Sequence, residues 1–167
     1  MTSHFRTALF LALASLVTWP AFAWGSACGD GVVPLYRSWN PQTGDHFYTT
    51  NASESQSAAG LGYQAEGTEG CLATRPVLVP LYRMFNLQVH DHFYTTSAAE
   101  RDRARGLGYV EESLEGYCSA SRLPGTEPLY RLFNAQVHDH FYTTRAAERD
   151  RALGLGYAEE EITCYVW

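Results

Sequence analysis

A set of six polar and aromatic residues occurs three times along the chain at the same spacing. A planar Tyr ring can stack on one face of a sugar, and Arg, Asn, Asp and His side chains can form hydrogen bonds at its edge. The sets are Tyr36, Arg37, Asn40, Asp45, His46 and Tyr48; Tyr82, Arg83, Asn86, Asp91, His92 and Tyr94; and Tyr130, Arg131, Asn134, Asp139, His140 and Tyr142. Several weak equivalent sites gain affinity for a polymer through multivalency, so we interpret these sets as candidate glycan-binding residues of a non-catalytic protein.

The same residues also have a structural explanation. Tyr, Leu and Phe in a short hairpin usually form its core, and an Arg near an Asp can form an internal ion pair. A structural or protein-interaction module with no small ligand is therefore the alternative. It predicts that Tyr36, Tyr82 and Tyr130 are buried, whereas a binding groove requires them to be exposed.

Metal binding and catalysis are less favoured. Residues two apart on a strand share a face, so the pairs His90 with His92 and His138 with His140 could form a four-His site. The first copy has Gly44 in place of the first His, which leaves only Asp-His in common. We expect no metal and no cofactor.

Hydrolysis needs one asymmetric cleft with two carboxylates in different environments. Candidate pairs would combine Asp45, Asp91 or Asp139 with Glu66, Glu111 or Glu159. Three near-identical units instead offer three equivalent surfaces, so we expect no catalytic residues and keep an extracellular hydrolase as the second alternative.

The elements that must position these residues follow from the repeat itself. Segments 34–63, 80–109 and 128–157 align without a gap. Each begins with a Pro-Leu-Tyr-Arg strand, reverses at turn-forming residues and returns through Asp-His-Phe-Tyr-Thr-Thr, which predicts a β-hairpin.

A short helix should follow each hairpin. Asn51 and Ser97 are predicted caps, with Glu54 and Glu100 reaching back in a capping box, and Thr144 is expected to replace Arg145 in this role. After Gly-Leu-Gly-Tyr the chain is again compatible with a strand. The expected fold is α+β: three tandem ββαβ repeats of about 47 residues, packed in series or about a pseudo-threefold axis. Their bounds are 24–75, 76–122 and 123–167.

Residues 1–23 have the layout of a signal peptide. A short basic head precedes an apolar run and Ala21-Phe22-Ala23, which predicts cleavage after Ala23 and a secreted, extracellular or periplasmic protein. No later segment is long and apolar enough to insert into a membrane. The net charge of -6 gives no basic surface for nucleic acid. A polysaccharide or cell-wall glycan is the expected partner.

Four Cys in an exported chain predict disulfides. Cys28 and Cys71 flank the first repeat core, while Cys118 and Cys164 flank the third. We favour these two pairs and retain a Cys28 to Cys164 clasp as the alternative.

The combination of Pro-Leu-Tyr-Arg-x-Phe-Asn, Asp-His-Phe-Tyr-Thr-Thr and the Ala-Ala-Glu-Arg-Asp helix resembles an uncharacterised repeat domain of secreted bacterial and fungal proteins. That domain is often appended to extracellular hydrolases. The resemblance implies an accessory role, adhesive or carbohydrate-binding, and supplies no catalytic residues. Flanking Cys are common in its bacterial members, which supports the favoured pairing, although the second repeat lacks a pair of its own.

Overall fold

A computed structural model describes residues 28–167, so the predicted signal peptide lies outside the described residues. Each repeat contributes a hairpin, one short helix and a third strand. The first holds β1 (Val32–Trp39), β2 (His46–Thr49), α1 (Ala52–Ser57) with a 3-10 turn (Ala58–Leu61), and β3 (Gln64–Ala73). The second holds β4 (Val79–Asn86), β5 (Asp91–Thr95), α2 (Ala98–Arg105) and β6 (Val110–Cys118). The third holds β7 (Glu127–Asn134), β8 (Asp139–Thr143), α3 (Ala146–Leu153) and β9 (Ala158–Val166).

The fold is mainly β-sheet, and the predicted α+β class with three ββαβ modules is wrong. Strands account for 48% of the described residues and helices for 19%. The strands form a six-stranded sheet in the order β2-β1-β3-β6-β4-β5 and a three-stranded sheet in the order β8-β7-β9. The prediction failed because sheet pairing continues from the first repeat into the second, so the repeats are not separate modules.

The third strands of the repeats close the molecule into a ring. Ala73 of β3 pairs with Tyr117 of β6, and Ser119 forms a bridge with Tyr165 of β9. The ring closes where the Trp167 amide donates to the Cys71 carbonyl at 3.1 Å. A Cβ added to Gly70 would lie 2.6 Å from Cγ2 of Val166, so this close approach requires glycine.

Three buried tyrosines lie at the centre of the molecule, where the three repeats meet. Tyr48, Tyr94 and Tyr142 are each 1% exposed, and their rings meet edge to face with centroids 5.3 to 5.5 Å apart. We call these three residues the tyrosine ring. The surrounding core consists of Leu35, Leu72, Leu81, Cys118, Leu129, Cys164 and Val166.

Hydrogen bonds link the tyrosine ring into a closed cycle. The Tyr94 hydroxyl donates to the Tyr48 carbonyl at 2.6 Å and accepts from the Tyr48 amide at 2.7 Å. Tyr142 forms the same two bonds with Tyr94, and Tyr48 forms them with Tyr142. Burial raises the pKa of all three hydroxyls. Each repeat thus satisfies backbone groups of a neighbouring repeat.

The disulfides join Cys28 to Cys71 and Cys118 to Cys164, the pairing favoured from the sequence. The second bridge differs from its expected role as a bracket around the third repeat, because Cys118 ends β6 and Cys164 lies in β9. It therefore ties the second repeat to the third inside the core. The two bridges indicate an oxidising, extracellular setting. Within residues 28–167, none of the helices has the length and apolar character needed to cross a membrane.

Candidate functional site

A pocket lies at each of the three interfaces between repeats. Pocket I, between the first and second repeats, has a volume of about 250 Å³. Pocket II, between the second and third, has about 340 Å³, and pocket III, between the third and first, has about 320 Å³. Their corresponding lining residues are Phe47, Glu54, Ala58, Leu61, Tyr63, Arg83, Phe85, His92 and Glu112 in pocket I; Phe93, Glu100, Ala104, Leu107, Tyr109, Arg131, Phe133, His140 and Glu160 in pocket II; and Phe141, Glu148, Ala152, Leu155, Tyr157, Arg37, Trp39, His46 and Glu66 in pocket III.

The alternation of side chains along the second strand of each hairpin explains this arrangement. Consecutive residues point to opposite sides of a strand. In β5, His92 lines pocket I while the next residue, Phe93, lines pocket II. Each His-Phe dipeptide therefore serves two adjacent pockets, and each pocket combines residues of two repeats.

A buried arginine forms the charged side of each pocket, and pockets II and III also contain Arg103 and Arg151, where pocket I has Ser57. In pocket I, the Arg83 guanidinium donates to both Glu54 oxygens at 2.9 and 2.8 Å and to Glu112 at 3.0 Å. Its Cζ also lies 5.0 Å from the centroid of the Phe47 ring. Arg131 forms the corresponding bonds in pocket II, and Arg37 forms the corresponding ion pairs in pocket III.

These ion pairs favour the ionised form of one glutamate in each pocket: Glu54, Glu100 and Glu148. Burial opposes ionisation of Glu148, but hydrogen bonds from Arg37 and Thr143 outweigh it and lower its pKa to about 2. The hydrogen bond from Arg83 is the main cause of the lowered pKa of Glu54. For Glu100, burial acts in the opposite direction and is outweighed by bonds from Arg131 and Thr95.

A histidine connects each pocket to the centre of the molecule. The His92 amide and Nδ1 contact the two Asp45 carboxylate oxygens at 2.8 and 2.6 Å. Burial opposes protonation of His92, but hydrogen bonds with Asp45 and Glu112 raise its pKa to about 9. His92 is therefore an imidazolium at neutral pH and adds a positive charge to pocket I. His140 contacts Asp91 in the same way, and His46 contacts Asp139.

Three aspartates, one from each repeat, form a buried cluster, which we call the aspartate cluster. Ligand atoms of Asp45, Asp91 and Asp139 lie within 4.8 Å of one another. Each carboxylate already accepts two bonds from a His and one from a Tyr hydroxyl, as Tyr63 donates to Asp45. These His and Tyr donors make each aspartate part of a hydrogen-bond network that links neighbouring repeats. Three carboxylates are also ligands that a hard cation accepts, so these residues could hold one.

Comparison with known proteins places the chain in a family. The profile of a domain of unknown function, DUF5648, matches residues 34–167. The chain belongs to the DUF5648 family. No curated protein and no solved structure matches it. The DUF5648 match covers all three repeats and therefore all three pockets.

The structure divides the predicted glycan-binding residues of this DUF5648 chain into two groups. The Arg and His residues line the pockets, while the second Tyr and the Asp of each set lie in the tyrosine ring and the aspartate cluster. The Asn residues are also buried: Asn86 Nδ2 donates to the Leu107 carbonyl at 3.1 Å, and its Oδ1 accepts from the Gln88 amide. Asn40 and Asn134 do the same in the other repeats.

The first Tyr of each set lies outside pockets I to III. Tyr82 and Tyr130 are half-buried beneath arginines, with Arg101 and Arg149 each 4.7 Å from the ring centroid. Tyr36 lines a separate cavity of about 370 Å³. The predicted stacking of these rings on a sugar is therefore not what the pocket geometry offers.

The candidate four-His site is not formed. His90 and His138 adopt φ of 54° in the hairpin turns, where the first repeat has Gly44 with φ of 85°. They precede β5 and β8, so they do not share a strand face with His92 and His140.

The sequence interpretation missed the apolar part of each pocket. Leu61, Leu107 and Leu155 are 75%, 73% and 69% exposed at the pocket edges, although each is a large apolar residue. Their position between two glycines, shortly after an α-helix, is the signal that could have identified them. The pocket-lining Phe residues carried no such signal, because Phe in a hairpin is usually part of the core.

Proposed function

We propose that this DUF5648 protein is a secreted, non-catalytic carbohydrate-binding protein that holds a polymeric glycan in pockets I to III. One observation carries the proposal: the same pocket is built three times from corresponding residues of adjacent repeats. Repetition of a modest site suits a ligand that presents the same unit many times, since linked weak contacts multiply their affinities.

The chemistry of each pocket is compatible with a sugar ring. Pocket I combines the apolar side chains of Phe47, Leu61 and Phe85 with the charged groups of Arg83 and Glu112. Apolar side chains can cover the C–H face of a pyranose, while the charged groups accept and donate hydrogen bonds to its hydroxyls. Volumes of about 250 to 340 Å³ lie at the small end of ligand pockets. One or two sugar units per pocket are therefore the proposed occupants.

The ionisation state of the pocket carboxylates supports binding over hydrolysis. A glycoside hydrolase usually keeps one carboxyl group protonated, with a raised pKa, to donate a proton to the leaving oxygen. Glu54, Glu100 and Glu148 instead have lowered pKa values because arginines bind them. These groups are suited to accept hydrogen bonds from sugar hydroxyls.

A protein-interaction module remains the second candidate, favoured by the exposure of Leu61, Leu107 and Leu155. Exposed apolar side chains at regular positions can contact another protein. In the carbohydrate-binding proposal these leucines contact a sugar, whereas in a protein-interaction module they contact another protein.

Binding to polysaccharides tests the proposal. The secreted chain is incubated with insoluble chitin, cellulose and peptidoglycan and applied to a glycan array. The variant L61S/L107S/L155S should lose about tenfold in affinity, because it removes the apolar edge of every pocket. Its folding should change little, since all three side chains are mostly exposed.

The chain offers a matched control. Val77, Leu87 and Val137 are also exposed, at 79%, 69% and 48%, and line none of the three pockets. The variant V77S/L87S/V137S should bind glycans like the wild type. A wild-type protein that binds no glycan, or equal losses in the two variants, would contradict the proposal.

A further inference from the structure

A second cavity adjoins pocket I and extends it. It has a volume of about 670 Å³ and shares Glu54, Ser57, Arg83 and Glu112 with pocket I. We call it the polar groove. Its further lining residues are Thr49, Thr50, Asn51, Ser53, Ser113, Leu114 and Glu115. Pocket I and the polar groove are therefore neighbouring cavities that border the same four side chains.

The polar groove differs from pocket I in chemistry. Its walls carry hydroxyl, amide and carboxylate groups in place of the aromatic rings of pocket I, and Leu114 is its one large apolar lining residue. Glu115, at its base, accepts from the Thr50 amide at 2.8 Å and forms an ion pair with Arg83 at 3.1 Å. A row of short hydroxyl and amide side chains suits a ligand with many hydroxyls.

The third interface shows how the equivalent space can be filled. Glu69 corresponds to Glu115 and likewise accepts from a Thr amide, that of Thr144, at 3.0 Å. Arg145 stands where the first repeat has Asn51, and its guanidinium forms an ion pair with Glu69. Glu69 therefore has an ion pair with Arg145 in addition to its ion pair with Arg37, whereas Glu115, which lines the polar groove, has the corresponding ion pair with Arg83 and an Asn at the position of Arg145.

We propose that pocket I and the polar groove together bind a segment of several linked sugar units, whereas Arg145 restricts pocket III to a shorter segment. One unit rests against the apolar residues of pocket I, and the following units lie along the hydroxyl-lined groove. This inference rests on the proposed carbohydrate binding and adds to it a preference for chain length.

Titration with β-1,4-linked N-acetylglucosamine oligomers of one to four units tests the inference. Amide chemical shifts of Ser53 and Leu114 report on the groove, and those of Ala147 and Thr68 report on the third interface. In the wild type, affinity at the groove should rise about tenfold from monomer to tetramer. Affinity at the third interface should rise much less.

Substitutions exchanged between repeats separate this effect from folding. Asn51→Arg should bring an arginine over Glu115 and abolish the gain with chain length, while Asn51→Ser keeps a capping residue, as Ser97 does in the second repeat, and should behave like the wild type. Arg145→Asn should create a length-dependent gain at the third interface. Ser53→Arg, on the exposed first turn of α1, replaces Asn51→Arg if that variant does not fold.

The outcomes distinguish the two proposals. A wild type that binds the oligomers with the same affinity at every length, or an Asn51→Arg variant that keeps the gain, overturns the inference and leaves carbohydrate binding intact. Absence of binding to these oligomers and to the glycan array overturns both.

Discussion

The centre of the molecule and the three interface pockets are built from the same repeated motif. Residue types at the centre are identical in the three repeats, whereas some residue types in the pockets differ. The tyrosine ring and the aspartate cluster have one residue type in all three repeats. The pockets vary: Trp39 stands where the other repeats have Phe85 and Phe133, and Ser57 stands where they have Arg103 and Arg151.

This difference follows from the partners of each residue. At the centre, each Tyr of the tyrosine ring binds the Tyr of a neighbouring repeat, and each Asp binds the His of a neighbouring repeat. A change in one copy therefore leaves groups of two repeats unsatisfied. At a pocket, the outer residues face solvent and can differ without breaking a cycle. At the centre, repetition of a residue therefore reflects its structural role, whereas the pocket positions that vary are those that can make the three pockets differ in specificity.

Removing the disulfide at the centre should give the largest effect. C118A/C164A opens a loop of 46 residues and should lower the free energy of unfolding by about 4 kcal/mol from chain entropy alone. Both sulfurs are buried in the core, so lost packing adds to this cost. Urea denaturation measures the change.

C28A/C71A is the comparison for this variant. It opens a loop of 43 residues, so its entropic cost is similar, but neither Cys belongs to the central core cluster. We expect C118A/C164A to have the lower free energy of unfolding of the two variants. Equal stabilities would mean that packing at the centre adds nothing to the effect of the crosslink.

Tyr94→Phe should have the next largest effect. The lost hydroxyl leaves the Tyr48 amide and carbonyl without their partner inside the core. Two unsatisfied buried groups predict a loss of about 2 to 4 kcal/mol in the free energy of unfolding. Glycan affinity of the folded fraction should not change, because Tyr94 lines none of pockets I to III.

Tyr82→Phe is the matched control, since it removes the hydroxyl of a half-buried Tyr in the same repeat. We expect it to cost less than about 0.5 kcal/mol. If the two variants are equally stable, the cycle of hydrogen bonds does not stabilise the centre more than an ordinary position.

The local elements could be predicted from the sequence because their signals lie within a few residues. Asn51 and Ser97 cap α1 and α2 as predicted, accepting bonds from amides of the first turn. The predicted capping box was wrong. The Glu100 carboxylate contacts Thr95 and Arg131 and does not reach back to Ser97. Thr144 does not cap α3, since its amide and hydroxyl bind Glu69.

These failures share one physical cause. Glu100, Thr144 and the motif Arg residues all contact a neighbouring repeat, and spacing within one repeat carries no information about which repeat lies beside it. The fold class failed for the same reason, because strand pairing across repeats determines the sheets. Of the predicted binding residues, only the Arg and the His of each set line a pocket, and the apolar pocket residues could not be distinguished from core in the sequence.

His92 lies on the boundary between centre and pocket, and its titration should give the smallest effect. Its pKa of about 9 in the folded protein exceeds the ordinary value of 6.5 because hydrogen bonds with Asp45 and Glu112 outweigh burial. A raised folded-state pKa stabilises the protein fully below pH 6.5, and this contribution is lost as the pH rises through 9. We expect a loss of about 2 to 3 kcal/mol between these limits, since one pKa unit corresponds to about 1.4 kcal/mol.

Urea denaturation between pH 6 and 9.5 measures this dependence, and two histidine variants identify its source. His92→Gln removes the titrating group and should flatten the decrease, whereas His90→Asn changes an exposed turn residue and should keep the wild-type slope. The same slope in all three proteins would show that the imidazolium does not couple pocket I to the aspartate cluster. A flatter slope in His92→Gln alone means that protonation of His92, which lines pocket I and contacts Asp45, stabilises the fold. The charge of pocket I and the free energy of unfolding then change together with pH.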